Sequence, residues 1–196
     1  MELKNCHNKQ KNSNTMKKIG VISDTHITNK GMNLRAAWNR FLTRGDQPLS
    51  EVLEREFKGV DLIIHCGDLV ELWVLDMLKE IAPVEAVAGN MDGSEARQEL
   101  PLKKNLEIEG IKLGIIHGGG SPHRMIDRIT PEFSGVDAIL FGHTHAPFAE
   151  TRDGIFFFNP GSPTDRRFAP YNSLGLLILD ADNPKQKITS NIIRLD

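Results

Sequence analysis

The sequence predicts an α/β protein, on three observations. Short apolar runs alternate with amphipathic stretches over the first two thirds of the chain. Several of those runs finish in Gly next to Asp, Asn or His, and beyond the last such pair the chain becomes strand-rich. Strand–helix–strand units followed by hairpins fit a layered sheet-and-helix domain.

The elements follow in order. Ile19 to Ser23 reads as a strand ending in Asp24-Thr25-His26. Residues 32 to 43 carry Leu34, Ala37, Trp38, Phe41 and Leu42 at helical spacing, and Pro48 opens a second helix with Leu49, Val52, Leu53 and Phe57 on one face. Asp61 to His65 is a strand running into Cys66-Gly67-Asp68. Trp73 to Ile81 is a helix that must stop before Pro83. Val84 to Ala88 leads to Gly89-Asn90-Met91-Asp92. Leu106 to Ile108 and Lys112 to Ile116 flank Glu109-Gly110 as a hairpin, whose second strand ends at His117. Pro122 to Ile129 reads as a helix with Ser121 as its cap. Ala138 to Leu140 is a buried strand ending in Phe141-Gly142-His143-Thr144-His145, and Ile155 to Phe158, Leu174 to Leu179 and Ile188 to Leu195 complete the strands.

Length and composition bound the rest. A chain of 196 residues, 39% hydrophobic with 17 glycines, suits one soluble domain from residue 17 to the end. Residues 1 to 16 are rich in Lys and Asn, lack an apolar run, and read as a disordered extension or an early start codon rather than a signal peptide. A net charge of -2 offers no basic field for extended nucleic acid. No apolar run approaches the ~18 residues of a membrane span. The two cysteines, Cys6 and Cys66, have no metal spacing and form no disulfide framework, which favours a reducing, cytoplasmic setting.

The strand ends carry the chemistry. In open α/β sheets, ligands collect beyond the carboxyl ends of strands. Here those ends hold Asp24 with His26, Asp68, Asn90, His117, and His143 with His145. An isolated His-x-His is as readily a pair of polar turn residues. Five strand ends all finishing in oxygen or nitrogen donors are much harder to assign to chance.

The series Asp-x-His, Gly-Asp, Gly-Asn, His-Gly and Gly-His-x-His, in that order, resembles the calcineurin-like metallophosphoesterase superfamily, and most its small single-domain bacterial and archaeal phosphodiesterases. Asn159-Pro160-Gly161-Ser162 strengthens the narrower match, and the likeness spans about Lys18 to Asp196. It implies a four-layer α/β/β/α sandwich of two mixed sheets flanked by helices. It also implies two divalent ions: one held by Asp24, His26, Asp68 and His145, the other by Asp68, Asn90, His117 and His143, with Asp68 bridging. Mn²⁺ leads; Ni²⁺, Fe²⁺, Zn²⁺ and Mg²⁺ also accept mixed carboxylate and imidazole donors. The implied reaction is in-line attack of a metal-bridging hydroxide on the phosphorus of a small phosphodiester, with Asp68 and Asn90 positioning hydroxide and phosphate. A scaffold of the same fold, like the retromer sorting subunit, and a nuclease like the DNA-repair members are the competing readings; the first has no use for seven filled donor positions, and the second lacks length and charge.

One departure from the resemblance matters. Many members carry His after Gly-Asn, near the leaving group, whereas this chain has Met91, with Asp92 in its expected place. His123, at the expected start of the Pro122–Ile129 helix, is a candidate replacement acid and phosphate contact; it is more readily a solvated first-turn residue. Arg166 or Arg167 is a candidate phosphate contact or a surface charge. His65 reads as a core residue or as a support for the ligands. Residues 29–47 are extra relative to small members of the family, and their apolar stripe predicts a helical lid over the site or a contact between subunits of a homodimer or tetramer.

Overall fold

The computed structural model describes residues 16–41, 47–165 and 169–195. Two five-stranded mixed sheets stack face to face. The first comprises β1 (Met16–Ile22), β2 (Leu62–His65), β3 (Val84–Ala86), β9 (Ser173–Asp180) and β10 (Ile188–Arg194), in the order β10-β9-β1-β2-β3. The second comprises β4 (Lys103–Ile108), β5 (Ile111–Ile116), β6 (Ala138–Phe141), β7 (Phe148–Arg152) and β8 (Ile155–Asn159), in the order β4-β5-β6-β8-β7. β1, β2 and β3 run parallel, as do β5, β6 and β8, so the strand ends singled out on sequence share one edge of the stack. Helices α1 (Leu34–Arg40), α2 (Leu49–Glu56) and α3 (Trp73–Lys79) join β1 to β2 and β2 to β3. The short α4 (Ser94–Glu99) precedes β4, and α5 (Met125–Ile129) precedes β6. No helix among the described residues is long and apolar enough to cross a membrane.

Side-chain alternation along the strands builds the layers. Ile19 and Val21 of β1, Ile64 of β2, Leu113 and Ile115 of β5, and Ala138 and Leu140 of β6 fill the space between the sheets. Their neighbours point the other way: Ile22 and Ile63 pack under the first helices with Leu53 and Phe57, and Ile139 and Phe141 pack under α5 with Met125 and Ile129. Three apolar interfaces therefore separate four layers. This is the sandwich expected from the sequence, with runs such as Ala138-Ile139-Leu140 buried on both faces.

Four local expectations are corrected. Met16, placed in the extension on sequence, is the first residue of β1 and pairs with Asp180. Pro48 caps α2 from outside instead of starting it, and the helix begins at Leu49. The helix expected from Pro122 begins only at Met125, because Arg124 takes a left-handed φ of 59°. Ser121 Oγ accepts the His123 backbone N–H at 3.3 Å, and the Arg128 guanidinium folds back to donate to the carbonyls of Gly119, Ser121 and His123, so this segment is a braced turn with no helix end to receive a phosphate.

The fourth concerns the insertion. Asn33 caps α1, its Oδ1 accepting from Arg35 N at 3.0 Å. The buried part of the stripe, Ala37 and Trp38, packs into the chain's own core under the first sheet rather than over the strand-end site, with Trp38 edge-on to Trp73 at 6.2 Å. Leu42, also in the stripe, lies outside the described residues. An apolar stripe needs a cover, and α2 and α3 supply one. Trp38→Ala should therefore lower unfolding stability by about 3–5 kcal/mol, the usual cost of emptying a buried aromatic site. Urea unfolding checks this; a loss below about 1 kcal/mol would mean that the insertion is an appended flap.

Candidate metal centre

The strand ends converge. Five of the seven donor residues take left-handed backbone conformations: Asp24 (φ 54°), His26 (47°), Asp68 (56°), His143 (68°) and His145 (56°). Such angles are uncommon for residues other than glycine, and they cluster where the surrounding structure holds a functional geometry. Here they turn side chains from both sheets into one space.

The turn after β2 is tied to its neighbours residue by residue. His65 Nδ1 accepts the Gly67 N–H at 3.1 Å, and His65 Nε2 lies 3.2 Å from Thr25 Oγ1. Cys66 O lies 2.8 Å from His117 Nδ1. Gly67 O accepts from Asp24 N at 3.0 Å, and Asp68 O from His26 N at 3.1 Å. Asp92, buried, adds a carboxylate that accepts from Gly89 N at 2.6 Å, Asp68 N at 3.3 Å and Val70 N at 2.6 Å. The segment after β8 braces the far side: Asn159 Nδ2 donates to Gly142 O at 2.9 Å, and Ser162 Oγ to Asp24 O at 2.7 Å.

Two sets of donor atoms result, each within 4.8 Å: Asp24, His26 and His145; and Asp24, Asp68 and His117. In the first, His145 Nε2 stands 3.3 Å from both Asp24 Oδ1 and His26 Nε2. In the second, His117 Nε2 faces Asp68 Oδ2 at 3.2 Å and Asp24 Oδ1 at 3.9 Å. Asp68 Oδ2 is also 3.9 Å from His26 Nε2, so both carboxylates stand between the sets; Asp24 is common to them, where the resemblance places Asp68 alone as the bridge. Asn90 and His143 are together but face each other, Oδ1 to Nδ1 at 2.9 Å, while His143 Nε2 lies 2.7 Å from Gly120 O. His123 lies elsewhere, exposed and lining a cleft with Met125 and Phe148. Arg166 and Arg167 lie outside the described residues.

The electrostatics suit a cation. His117 Nε2 is buried without a hydrogen bond and aimed at two carboxylates, while the Cys66 carbonyl orients its other ring nitrogen, as outer partners do for metal-binding histidines. Burial alone would lower the His117 pKa, but Asp68 and Asp24 outweigh it and raise it. Burial likewise works against the Asp68 anion, yet His117, the Met91 N–H and His26 together hold its pKa below the usual carboxylate value. His26 is lowered by burial against the pull of Asp24 and Asp68. Hard carboxylates and borderline imidazoles, with no thiolate in either set, fit a divalent ion such as Mn²⁺, Fe²⁺ or Zn²⁺.

His65 yields a pH prediction. Burial lowers its pKa to about 4 from 6.5. Above 6.5 the imidazole is neutral folded and unfolded, and its contribution to stability is complete. As the pH falls from 6.5 toward 4, the unfolded chain takes up a proton that the folded chain refuses, so stability falls, by about 3 kcal/mol in all at 1.36 kcal/mol per unit. Urea midpoints of metal-free protein at pH 7.5 and 4.5 should fall more steeply for the native chain than for His65→Gln; equal falls would refute the assignment.

The family model of the calcineurin-like phosphoesterase superfamily domain matches residues 16–183, and the chain belongs to that superfamily. It is 42% identical over 149 residues to a probable metallophosphoesterase of Methanocaldococcus jannaschii, covering 74% of this chain and 68% of that one. A solved structure described as a novel archaeal phosphodiesterase superposes with a TM-score of 0.60 at 26% identity, covering 90% of this chain and 99% of the other. Vacuolar protein sorting-associated protein 29 of Schizosaccharomyces pombe is 28% identical over 152 residues, 74% of this chain and 71% of its own.

Proposed function

We propose that this phosphoesterase-family protein is a metal-dependent phosphodiesterase that holds two divalent ions and hydrolyses small phosphodiesters. The observation that carries the reading is the meeting of buried Asp24, Asp68, His117 and His145, with His26, at strand ends from both sheets. Asp24, His26 and His145 would hold one ion, and Asp68 and His117 the other with Asn90 and His143, the two carboxylates facing both. Divalent ions, when bound, supply Lewis acidity toward a phosphoryl oxygen and a nucleophile at neutral pH.

The chain's own residues set the limits. The carboxylates of Asp24 and Asp68 only partly cancel two divalent cations, leaving positive charge for a phosphodiester anion. Asn90 adds an oxygen without adding negative charge. Met91 has no proton to give, so departure of the alcohol depends on its own acidity. Aryl phosphodiesters are therefore the favoured substrates, and His123 stays a candidate acid only if the 121–124 turn swings toward the site. Mn²⁺ is the first choice of metal.

The sorting-protein relative supports a second reading, a binding module that keeps the site without turnover. Assay of purified protein on aryl and alkyl phosphodiesters and monoesters, with Mn²⁺, Ni²⁺, Zn²⁺ or Mg²⁺, separates the two. Metal-stimulated cleavage of the aryl diester well above the alkyl diester is the expected result. Tight metal binding with no cleavage of any ester would favour the binding module.

A further inference from the structure

We infer that His65 is a positioning residue whose neutral ring ties the Asp24–His26 loop to the Gly67–Asp68 turn and so sets the spacing of the metal donors. The inference rests on the proposed metal centre and assigns a role to a residue outside it. His65 is the last residue of β2, is fully buried, and belongs to neither donor set. Its two ring nitrogens reach two different strand ends. Nδ1 accepts the backbone N–H of Gly67 at 3.1 Å, so Nδ1 carries no proton. The neutral imidazole must then carry its hydrogen on Nε2, which donates to Thr25 Oγ1 at 3.2 Å.

Each partner is the immediate neighbour of donor residues. Thr25 sits between Asp24 and His26, and Gly67 directly precedes Asp68. Because His65 is rigid within β2, paired to Ile22 on one side and Ala86 on the other, the ring acts as a strut of fixed length between the two loops. Without it, Thr25 and the Gly67 N–H would be left as buried polar groups, and only the backbone bonds of Asp24 N to Gly67 O and His26 N to Asp68 O would hold the left-handed Asp24, His26 and Asp68 in register, so the donor spacing would loosen. A core histidine used for packing alone would have no need of both bonds.

The test measures Mn²⁺ affinity by calorimetric titration beside urea unfolding of the metal-free protein, so a site effect is read apart from a general loss of stability. Thr25→Val removes the hydroxyl from the far side and leaves His65 in place. His65→Asn keeps an acceptor near the Nδ1 position, and His65→Gln keeps a donor near the Nε2 position. Thr25→Val and His65→Asn are each expected to weaken Mn²⁺ binding on the order of tenfold, in the range found for outer partners of metal ligands. The double variant should be no weaker than the worse single, because both break one bond. His65→Gln should recover part of the affinity in native Thr25 and none in Thr25→Val. Native-level Mn²⁺ affinity in Thr25→Val, or losses that simply add, would overturn the strut. If the native chain itself took up no Mn²⁺, the metal centre would fall with it, so the two failures are told apart.

Discussion

Asp68→Ala is expected to strip the proposed two-ion centre of both metals and reduce phosphoesterase turnover to background. Asp68 Oδ2 stands 3.2 Å from His117 Nε2 and 3.9 Å from His26 Nε2, so one oxygen atom faces both donor sets. Its other oxygen accepts the Met91 N–H at 2.7 Å, which fixes the carboxylate's rotation. Alanine removes the charge that two cations would share and leaves His117 facing Asp24 alone, at 3.9 Å. Asp61→Ala is the matched control: that carboxylate is exposed, pairs with Lys17 at 3.2 Å, and precedes β2 at the end away from the site. Elemental analysis after metal loading should show both ions in native protein and in Asp61→Ala, and less than one per chain in Asp68→Ala. Full occupancy in Asp68→Ala would reject the shared-carboxylate arrangement.

Gly142→Ala should be strongly damaging. A Cβ at Gly142 would overlap Ser23 Oγ and fall 2.9 Å from Asp24 Oδ2 and 3.0 Å from Cys66 O. None of these can retreat cheaply, since Ser23 Oγ donates to Asp24 Oδ2 at 2.7 Å and Cys66 O is engaged by His117. The end of β6 can approach β1 so closely only because residue 142 has no side chain. Overpacking of this kind costs about 1–3 kcal/mol, and the upper end is expected here. Metal affinity should fall as well, because the Asp24 carboxylate is among the groups displaced. Gly119→Ala, whose added methyl meets nothing within 4 Å, should leave both properties unchanged. Urea unfolding and Mn²⁺ titration of the two variants check the pair; equal behaviour would show that the β6 end is looser than its contacts imply.

Much of this architecture was legible in the residues. The α/β alternation and the strand ends were clear because parallel strands buried on both faces leave unbroken apolar runs, as at Leu62-Ile63-Ile64 and Ala138-Ile139-Leu140. The donor residues could be named because each follows such a run. β7 escaped notice because Phe148-Ala149-Glu150-Thr151-Arg152 is an edge strand, mostly exposed, without the apolar alternation that marks a half-buried strand. The signal that could have found it is Asp153-Gly154, which joins β7 to β8 with φ angles of 49° and 81°, a two-residue hairpin turn. α4 has six residues, too few for a helical period to stand out. The stripe on α1 announced that the helix had to be covered but not by what. The bonds from His65 to Thr25 and from Asp92 to Asp68 and Val70 were hidden for another reason: they join segments tens of residues apart, and no local pattern specifies a partner at that distance.

The division of the donors between the sheets has a consequence for how the molecule comes into being. Asp24, His26, Asp68 and Asn90 follow strands of the first sheet, whereas His117, His143 and His145 follow strands of the second. A nascent chain that has emerged only as far as β4 carries four of them and none of the imidazoles that close either set from the other side. Synthesis proceeds from the amino terminus, so on the proposed assignment the Asp24–Asp68–His117 set is complete only after β5, and the Asp24–His26–His145 set only after β6, has left the ribosome and the sheets have docked. From that moment an ion bound across the seam would act as a clasp, adding about 4 kcal/mol to the folded state when free ion exceeds its dissociation constant a thousandfold. On that reading, a cell short of metal would accumulate chains whose sheets are joined only by apolar packing and by bonds such as those of His117 to Cys66 O and His143 N to Asp24, and their turnover by proteases would report metal supply.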